Sequence, residues 1–111
     1  MSVSNEPNKF MLIKADPIKA VTRIIEHRSP YHCDGDWTMP EARLMCAIVA
    51  HHMAECITFA QEQFKTTDSF CPLKPDHWLV RHTEDLAHHQ ELIGLDGRFA
   101  VSTLRHLGVF A

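Results

Sequence analysis

Apolar and polar residues follow one another in blocks along the chain, and each change of pattern marks a predicted element. Residues 1–9 are polar and predict a flexible tail. The apolar patch FMLI (10–13) fits a short strand or an extended cover over the core. Asp16 and Pro17 predict a helix start, because the carboxylate caps free N–H groups and proline needs no N–H at the first helical position. This first helix is predicted to run to about His27.

A much longer helix is predicted from the capping stretch that begins at Thr38 to about Phe64. The stretch Thr38-Met39-Pro40-Glu41 fits a capping box at its start, and residues 31–37 (YHCDGDW) before it predict a loop with an Asp-Gly turn. At about 100° per residue, one apolar stripe runs along this helix. Its members are Ala42, Cys46, Val49, Ala50, Met53, Cys56, Ile57, Ala60 and Phe64, widened by Met45, Ile48 and Phe59. A helix this apolar is either the central element of the fold or partly buried in an oligomer.

Shorter helices are predicted after a proline-punctuated loop at residues 65–76. Asp76 is expected to cap a short turn that directs Trp78 and Leu79 into the core. Thr83 is expected to cap the helix that follows, with acidic residues favourably placed in its first turn.

That helix is predicted to end at Gly94, since glycine adopts the left-handed conformation at least cost. Asp96 is expected to cap a last helix that runs to Leu107. The pattern therefore predicts an all-α fold: a single-domain helical bundle of four to five helices over residues 10–111, with a long central helix and a helix-turn-helix-like C-terminal corner.

Composition supports a folded domain and limits the classes of function. The chain has 111 residues, of which 45% are hydrophobic and 23% charged, and a net charge of -3. The acidic balance counts against a polyelectrolyte, so any nucleic-acid contact requires a local basic patch. No run of letters approaches the roughly 20 apolar residues that span a bilayer, and no export signal begins the chain. We therefore expect a cytoplasmic protein without membrane contact, whose four cysteines are thiols.

Nine histidines and four cysteines raise the possibility of a zinc site. His52 and Cys56 are the tightest candidate pair, one helical turn apart on the long helix. Further candidate ligands lie in the flanking loops: His32, Cys33, Cys71 and His77. Their spacing matches no familiar zinc motif, and Cys56 falls on the apolar stripe, where a thiol behaves as a small hydrophobe. We therefore expect no metal and no cofactor, although a zinc-stabilised domain stays open.

Catalytic signatures are not found in the sequence. No glycine-rich oxyanion turn or electropositive helix start accompanies a Cys–His pair, and the acidic residues are scattered. We expect that the protein is not an enzyme.

The last predicted helix has two different faces. Its apolar face consists of Phe99, Ala100, Leu104 and Leu107. Its outer face carries two arginines and no acid: Arg98, Ser102, Arg105 and His106. Such a face fits the DNA major groove, where arginines bind guanine edges or phosphates. The preceding helix carries Glu84, Asp85 and Glu91, which repel phosphates, so a plain αα-corner with a solvated outer face explains the pattern equally well.

One segment resembles a known group of proteins. Residues 78–104, WLVRHTEDLAHHQELIGLDGRFAVSTL, resemble small uncharacterised phage and prophage helical proteins, and the long helix containing MPEARLMCAIVAHHMAECI is similar in style to theirs. The chain departs from that pattern at three positions. The pattern usually has an aromatic residue at the position of Leu86 and a cysteine near the position of Gln90. It also has a proline after the aspartate, where this chain has Gly97. The resemblance implies a mobile-element origin and a small regulatory protein rather than a reaction.

Two functional hypotheses lead. In the first, a phage-type accessory or regulatory protein binds DNA through the C-terminal corner. In the second, a protein-binding module inhibits or adapts a host or virion protein through the long apolar helix. The breadth of that apolar stripe also predicts a symmetric homodimer.

Overall fold

The computed structural model describes residues 16–67 and 72–111. Within them the elements are α1 (Pro17–Arg28), β1 (His32–Cys33), β2 (Asp36–Trp37), α2 (Pro40–Thr67), α3 (Trp78–Asp85), α4 (Ala87–Glu91) and α5 (Phe99–His106). The predicted mostly α-helical domain with a long central helix is confirmed. The expected tail at 1–9 and the FMLI patch lie outside the described residues, so the predicted domain limits stay a prediction.

The first helix forms as the sequence predicts. The Asp16 carboxylate accepts the N–H of Lys19 at 3.2 Å, and proline occupies the first helical position. Val21 and Ile25 are fully buried against α2. The helix ends at Arg28, one residue beyond the predicted end, and Ser29 follows in an extended conformation.

The segment predicted as a loop at 31–37 is a short β-hairpin. His32 pairs with Trp37 in the antiparallel register of β1 and β2. Asp34 and Gly35 form the turn with φ of 54° and 83°, the left-handed values that a tight hairpin turn requires. The Asp-Gly turn is thus confirmed, while its two-residue strands are too short to produce an alternating sequence pattern.

The predicted capping box at the start of α2 is wrong. The Thr38 hydroxyl donates to the carbonyl oxygen of Tyr31 at 3.0 Å, and the Thr38 N–H donates to the same oxygen at 2.8 Å. The hydroxyl and the N–H of Thr38 are therefore both bonded to the preceding hairpin. The helix instead begins at Pro40, with Arg43 N–H bonded to the Met39 carbonyl oxygen at 3.3 Å.

The apolar stripe of α2 forms the centre of the core, as predicted. Its buried members are Ala42, Cys46, Val49, Ala50, Met53, Cys56, Ile57 and Ala60. The helix packs along α1 and also contacts α3, α4 and α5. By length and composition alone, the helix Pro40–Thr66 is also long and apolar enough to cross a membrane, contrary to the sequence expectation. Its most apolar stretch of 18 residues has a mean hydropathy of 1.2, and half of that stretch is buried inside the structure, as in a core helix.

The boundaries predicted for the third helix are wrong. His77, rather than Asp76, caps α3, and its Nδ1 accepts the Leu79 N–H at 3.1 Å. Trp78 is 59% exposed instead of lying in the core. Thr83 does not start a helix but lies buried within α3, where its hydroxyl donates to the Leu79 carbonyl oxygen at 2.6 Å. A satisfied hydroxyl lets threonine occupy a buried helical position, which its capping propensity does not reveal.

Candidate anion-binding groove

The corner between α4 and α5 is fixed to the end of α1. The buried hydroxyl of Ser29 donates to the Ile93 carbonyl oxygen at 2.7 Å. Directly after Ile93, Gly94 takes φ of 76°, and a Cβ added there would lie 2.6 Å from Cγ of Pro30. The chain therefore needs glycine at this position both for its left-handed backbone and for the close approach of Pro30.

Two side chains set the start of α5. Gln90 is fully buried; its amide nitrogen donates to the Leu86 carbonyl oxygen at 3.0 Å, and its amide oxygen accepts the Ala100 N–H at 2.5 Å. Asp96 accepts the Arg98 N–H at 2.7 Å through its carboxylate. Asp96 thus stabilises the turn before α5 but does not cap the helix, because Arg98 occupies the N-cap position without a side-chain cap bond. The predicted Asp96 cap is wrong. The two bonds of Gln90 hold the start of α5 against α4.

A groove of about 750 Å³ lies between α1 and α5. Arg28 and Ile24 line it on the α1 side, and the remaining lining residues come from the turn before α5 and from α5 itself. Those residues are Asp96, Arg98, Phe99, Ser102, Thr103, His106 and Leu107. The guanidinium of Arg28 lies 5.9 Å from the centre of the Phe99 ring, within the range of a cation–π contact. The groove therefore combines an apolar floor with cationic and hydroxyl groups.

The four residues predicted to bind nucleic acid divide between the groove and its flank. Arg98, Ser102 and His106 line the groove. Arg105 is exposed on the same helix but outside the groove, and its Nε donates to the Ala111 carbonyl oxygen at 3.2 Å. Arg28 was not predicted, because it lies on α1 and only the packing of distant helices brings it to α5.

Charge is unevenly distributed around this groove. Arg28 and Arg98 line it together with a single acid, Asp96, whose carboxylate already accepts a backbone N–H. No acid occurs on α5. Two of the three acids named above, Glu84 and Asp85, lie on α3, before the corner. The third, Glu91, ends α4 at the corner, and its carboxylate lies close to Gly97, the neighbour of Arg98. Although the chain is acidic overall, this groove offers two guanidinium groups to an anion.

The candidate zinc pair that the sequence analysis considered, His52 and Cys56, is part of a buried hydrogen-bond cluster. His52 Nε2 lies 2.6 Å from Thr83 Oγ1, and the Cys56 sulfur lies 3.6 Å from the same nitrogen. Because the Thr83 hydroxyl proton is donated to Leu79, His52 Nε2 must be the donor to Thr83.

Protonation of the pair also fits a structural role. Burial, together with charge repulsion from the neighbouring His82, lowers the pKa of His52, against an opposing effect of the Glu55 carboxylate. Burial raises the pKa of the Cys56 thiol to about 12, and it raises that of Cys46 to about 11. Both thiols are therefore protonated at neutral pH and are poor nucleophiles and metal ligands.

Within residues 16–67 and 72–111, no group of three or more His, Cys, Asp or Glu side chains is arranged to hold a metal ion. The candidate ligand Cys71 lies outside these ranges. Comparisons with protein-family models, curated proteins and solved structures found no match for this chain. The function is accordingly inferred from the groove itself.

Proposed function

We propose that the protein is a small phage-type accessory or regulatory protein that binds DNA through the groove between α1 and α5. The observation that supports this proposal is the convergence of Arg28, Arg98, Ser102 and His106 on one concave surface. Guanidinium and hydroxyl groups are the donors that proteins most often direct at phosphate oxygens. An acid-free α5 beside them adds no repulsion along the helix that would meet the duplex.

The dimensions of α5 agree with this role. Its eight residues span about 12 Å at about 1.5 Å per residue, comparable to the width of the DNA major groove. In the proposed complex, Arg28 and Arg98 contact phosphates along the edge of the DNA major groove. Ser102 and His106 face the duplex, and Arg105 lies at the outer edge.

The net charge of -3 sets the expected character of binding. The field of the whole molecule opposes approach to DNA, so affinity depends on the few contacts in the groove. Binding should therefore be weak and strongly dependent on salt, because phosphate contacts release counterions. The acids of α3, including Glu84 and Asp85, would disfavour orientations that bring that helix to the backbone.

We expect the variant Arg28→Ala/Arg98→Ala to lose most of its affinity for duplex DNA. Fluorescence anisotropy with a random-sequence duplex, measured over a series of salt concentrations, tests this. The slope of log affinity against log salt should flatten by about two units, one for each phosphate contact removed. The fold should be retained, since exposed substitutions typically change stability by about 0.5 kcal/mol or less.

The matched control is Lys74→Ala/Arg81→Ala, which removes the same charge from exposed positions outside the groove. It should bind nearly as well as the parent. Equal losses in the two variants would mean that net charge rather than the groove governs binding. A parent that does not bind duplex DNA at low salt contradicts the proposal. The variant Arg105→Ala, measured in the same way, reports whether the part of α5 outside the groove contributes to binding.

A second candidate function, binding of a protein partner through α2, is favoured by one observation. Leu44 is 57% exposed near the start of that helix. Just before it in the chain, Trp37, Met39, Pro40 and Arg43 line a shallow cavity of about 300 Å³. This apolar surface suits a host or virion protein, or a second copy of the chain.

A further inference from the structure

A second groove follows the seam between α1 and α2. It consists of two depressions of about 570 Å³ and about 440 Å³, which meet at Ile18 and His51 because both residues line each of them. The α2 residues that line this groove recur at every turn of the helix from Arg43 to Glu62. That stretch of α2 is about 28 Å long, so the groove can accommodate a helix of about five turns.

The middle of this groove is lined by apolar and small side chains. Ala47, Ala50 and Ala54 line it from α2, and none of them extends beyond Cβ. Ile18 lines it from α1 and is 41% exposed, so a branched aliphatic side chain is in contact with water. Phe59 lines one end and is only partly buried. An apolar surface of this kind favours an occupant that covers it with apolar side chains.

Carboxylates occur along both walls of the groove. Asp16 and Glu26 line it on the α1 side, and Glu55 and Glu62 line it on α2. The side chains of Glu55 and Glu62 are 60% and 63% exposed, so both are accessible to a partner. The groove thus has an apolar middle between two acidic edges.

Few cations balance these carboxylates. Among the described residues that line the groove, the only lysine or arginine is Arg43, and its guanidinium is bonded to the Asp36 carboxylate at 2.8 Å. Lys65 lies 3.6 Å from Glu62, but this pair is exposed and therefore weak. The resulting negative charge repels DNA phosphates and anionic lipid head groups, and it attracts a basic polypeptide.

We propose that the groove between α1 and α2 binds an amphipathic helical segment of another protein, with apolar side chains on one face and lysine or arginine along both edges of that face. The apolar side chains cover Ile18 and Phe59, and the alanines of α2 allow the two helices to approach closely. The basic residues lie beside the carboxylates of the two walls. This arrangement is the helix-in-groove mode of peptide recognition. It does not depend on the proposed DNA binding, because no described residue lines both grooves.

A designed peptide tests the proposal with the full chain. The basic probe is a fluorescein-labelled helix of about 18 residues, or about five turns, with leucines on one face, lysines along both edges of that face and alanines elsewhere. Its acidic twin has glutamate in place of every lysine. Fluorescence anisotropy at low salt should show at least about tenfold tighter binding of the basic probe, because like charges across an interface oppose binding. A scrambled peptide of the same composition, which has no leucine face, should also bind weakly.

Charge reversal locates the binding site. Glu55→Lys/Glu62→Lys should weaken binding of the basic probe by at least about tenfold and should strengthen binding of the acidic twin. Glu84→Lys/Asp85→Lys, an equal charge change at exposed positions on α3, is the matched control. It should leave the preference for the basic probe unchanged.

Replacement of Ile18 tests the apolar part of the groove. In Ile18→Ser the affinity for the basic probe should fall several-fold, since serine removes apolar surface that the probe covers. Leu92→Ser is the matched control, because Leu92 is 48% exposed and lies outside the groove. Thermal melting of each variant reports whether the fold is retained, and Ile18→Ser keeps the test decisive if the charge-reversed variant fails to fold.

Three results overturn the proposal. The first is a full chain that binds the basic probe no better than its acidic twin. The second is an equal loss of affinity in the charge-reversed groove variant and in the α3 control, which assigns binding to net charge. The third is self-association of the parent, measured by sedimentation, that is lost in Ile18→Ser, which means that a second copy of this chain fills the groove.

Discussion

At the scale of single residues, two glycines with similar backbones have different surroundings. Gly94 and Gly35 take φ of +76° and +83°. A Cβ on Gly94 would overlap the ring of Pro30, whereas a Cβ on Gly35 would meet nothing within 4 Å. The pair therefore separates the effect of a left-handed backbone from the effect of close packing.

We expect Gly35→Ala to lower the free energy of unfolding by about 1–2 kcal/mol, the cost of placing an alanine in the left-handed region. Gly94→Ala should lower it by about 1–3 kcal/mol more, because the methyl group forces Pro30 and the corner apart. Urea unfolding of the two variants measures the difference. Equal losses of unfolding free energy in the two variants would show that Pro30 moves away from residue 94 at no energetic cost.

His52 gives a second prediction at this scale, for the dependence of stability on pH. Burial lowers the pKa of His52 in the folded protein. As the pH falls, the unfolded chain therefore takes up the proton first, because its histidines have a pKa of about 6.5. The stability associated with neutral His52 is fully present above that pH and is lost as the pH falls from the unfolded pKa towards the folded one.

Urea unfolding of the parent between pH 7.5 and 5.5, about one unit either side of the usual histidine pKa, should show this loss. His52→Gln should reduce it, since glutamine keeps a donor for Thr83 but does not titrate. His88→Gln is the control, because that side chain is largely exposed on α4. An unchanged pH dependence in His52→Gln would assign the loss to other groups.

At the scale of elements, the sequence predicts best where the signal is local. The start of α1 is fixed by the Asp16 cap and by the proline ring of Pro17. Neither needs a tertiary contact. The stripe of α2 was predicted correctly because its period extends over about six turns, from Ala42 to Phe64, and random patterns rarely persist so long. Thr38 was misassigned because its hydroxyl bonds to Tyr31, which only the hairpin brings close. Thr83 was misassigned because a hydroxyl bonded to Leu79, one turn earlier, and to the distant His52 fits a buried position inside α3.

The candidate site divides in the same way. Arg98, Ser102 and His106 share one helix face, so helical periodicity alone groups them. Arg28 was missed since its approach to α5 depends on how α1 packs, and no short-range pattern encodes that packing. The bond from Arg105 to Ala111 was equally inaccessible, because it depends on the path of the chain after α5.

At the scale of the whole molecule, the predicted homodimer remains to be tested. The other helices cover most of the α2 stripe, including Met45 and Phe59, which are partly buried. Leu44 of α2, which is not part of the stripe, is 57% exposed. A symmetric contact around Leu44 is the dimer that we now propose.

The variant Leu44→Glu should convert the dimer to a monomer, because it places a charge at the centre of the apolar contact. We expect the dissociation constant to rise by at least about tenfold, as for a central interface residue. Sedimentation at tens of micromolar, a concentration in the range of ordinary affinities, measures it. Leu92→Glu is the control, since Leu92 is also exposed (48%) but lies at the corner. A monomeric parent contradicts the prediction.

The contact between the end of α1 and the corner also has a consequence for the order of folding. Ser29 and Ile93 are 64 positions apart, so closing the groove requires a contact of high sequence separation. During synthesis the basic residues of α1 leave the ribosome long before α5 exists, and a nascent chain presents Arg28 without its partners. If the groove binds DNA, affinity arises only when folding is complete, and a fragment limited to the C-terminal corner lacks one wall of the site.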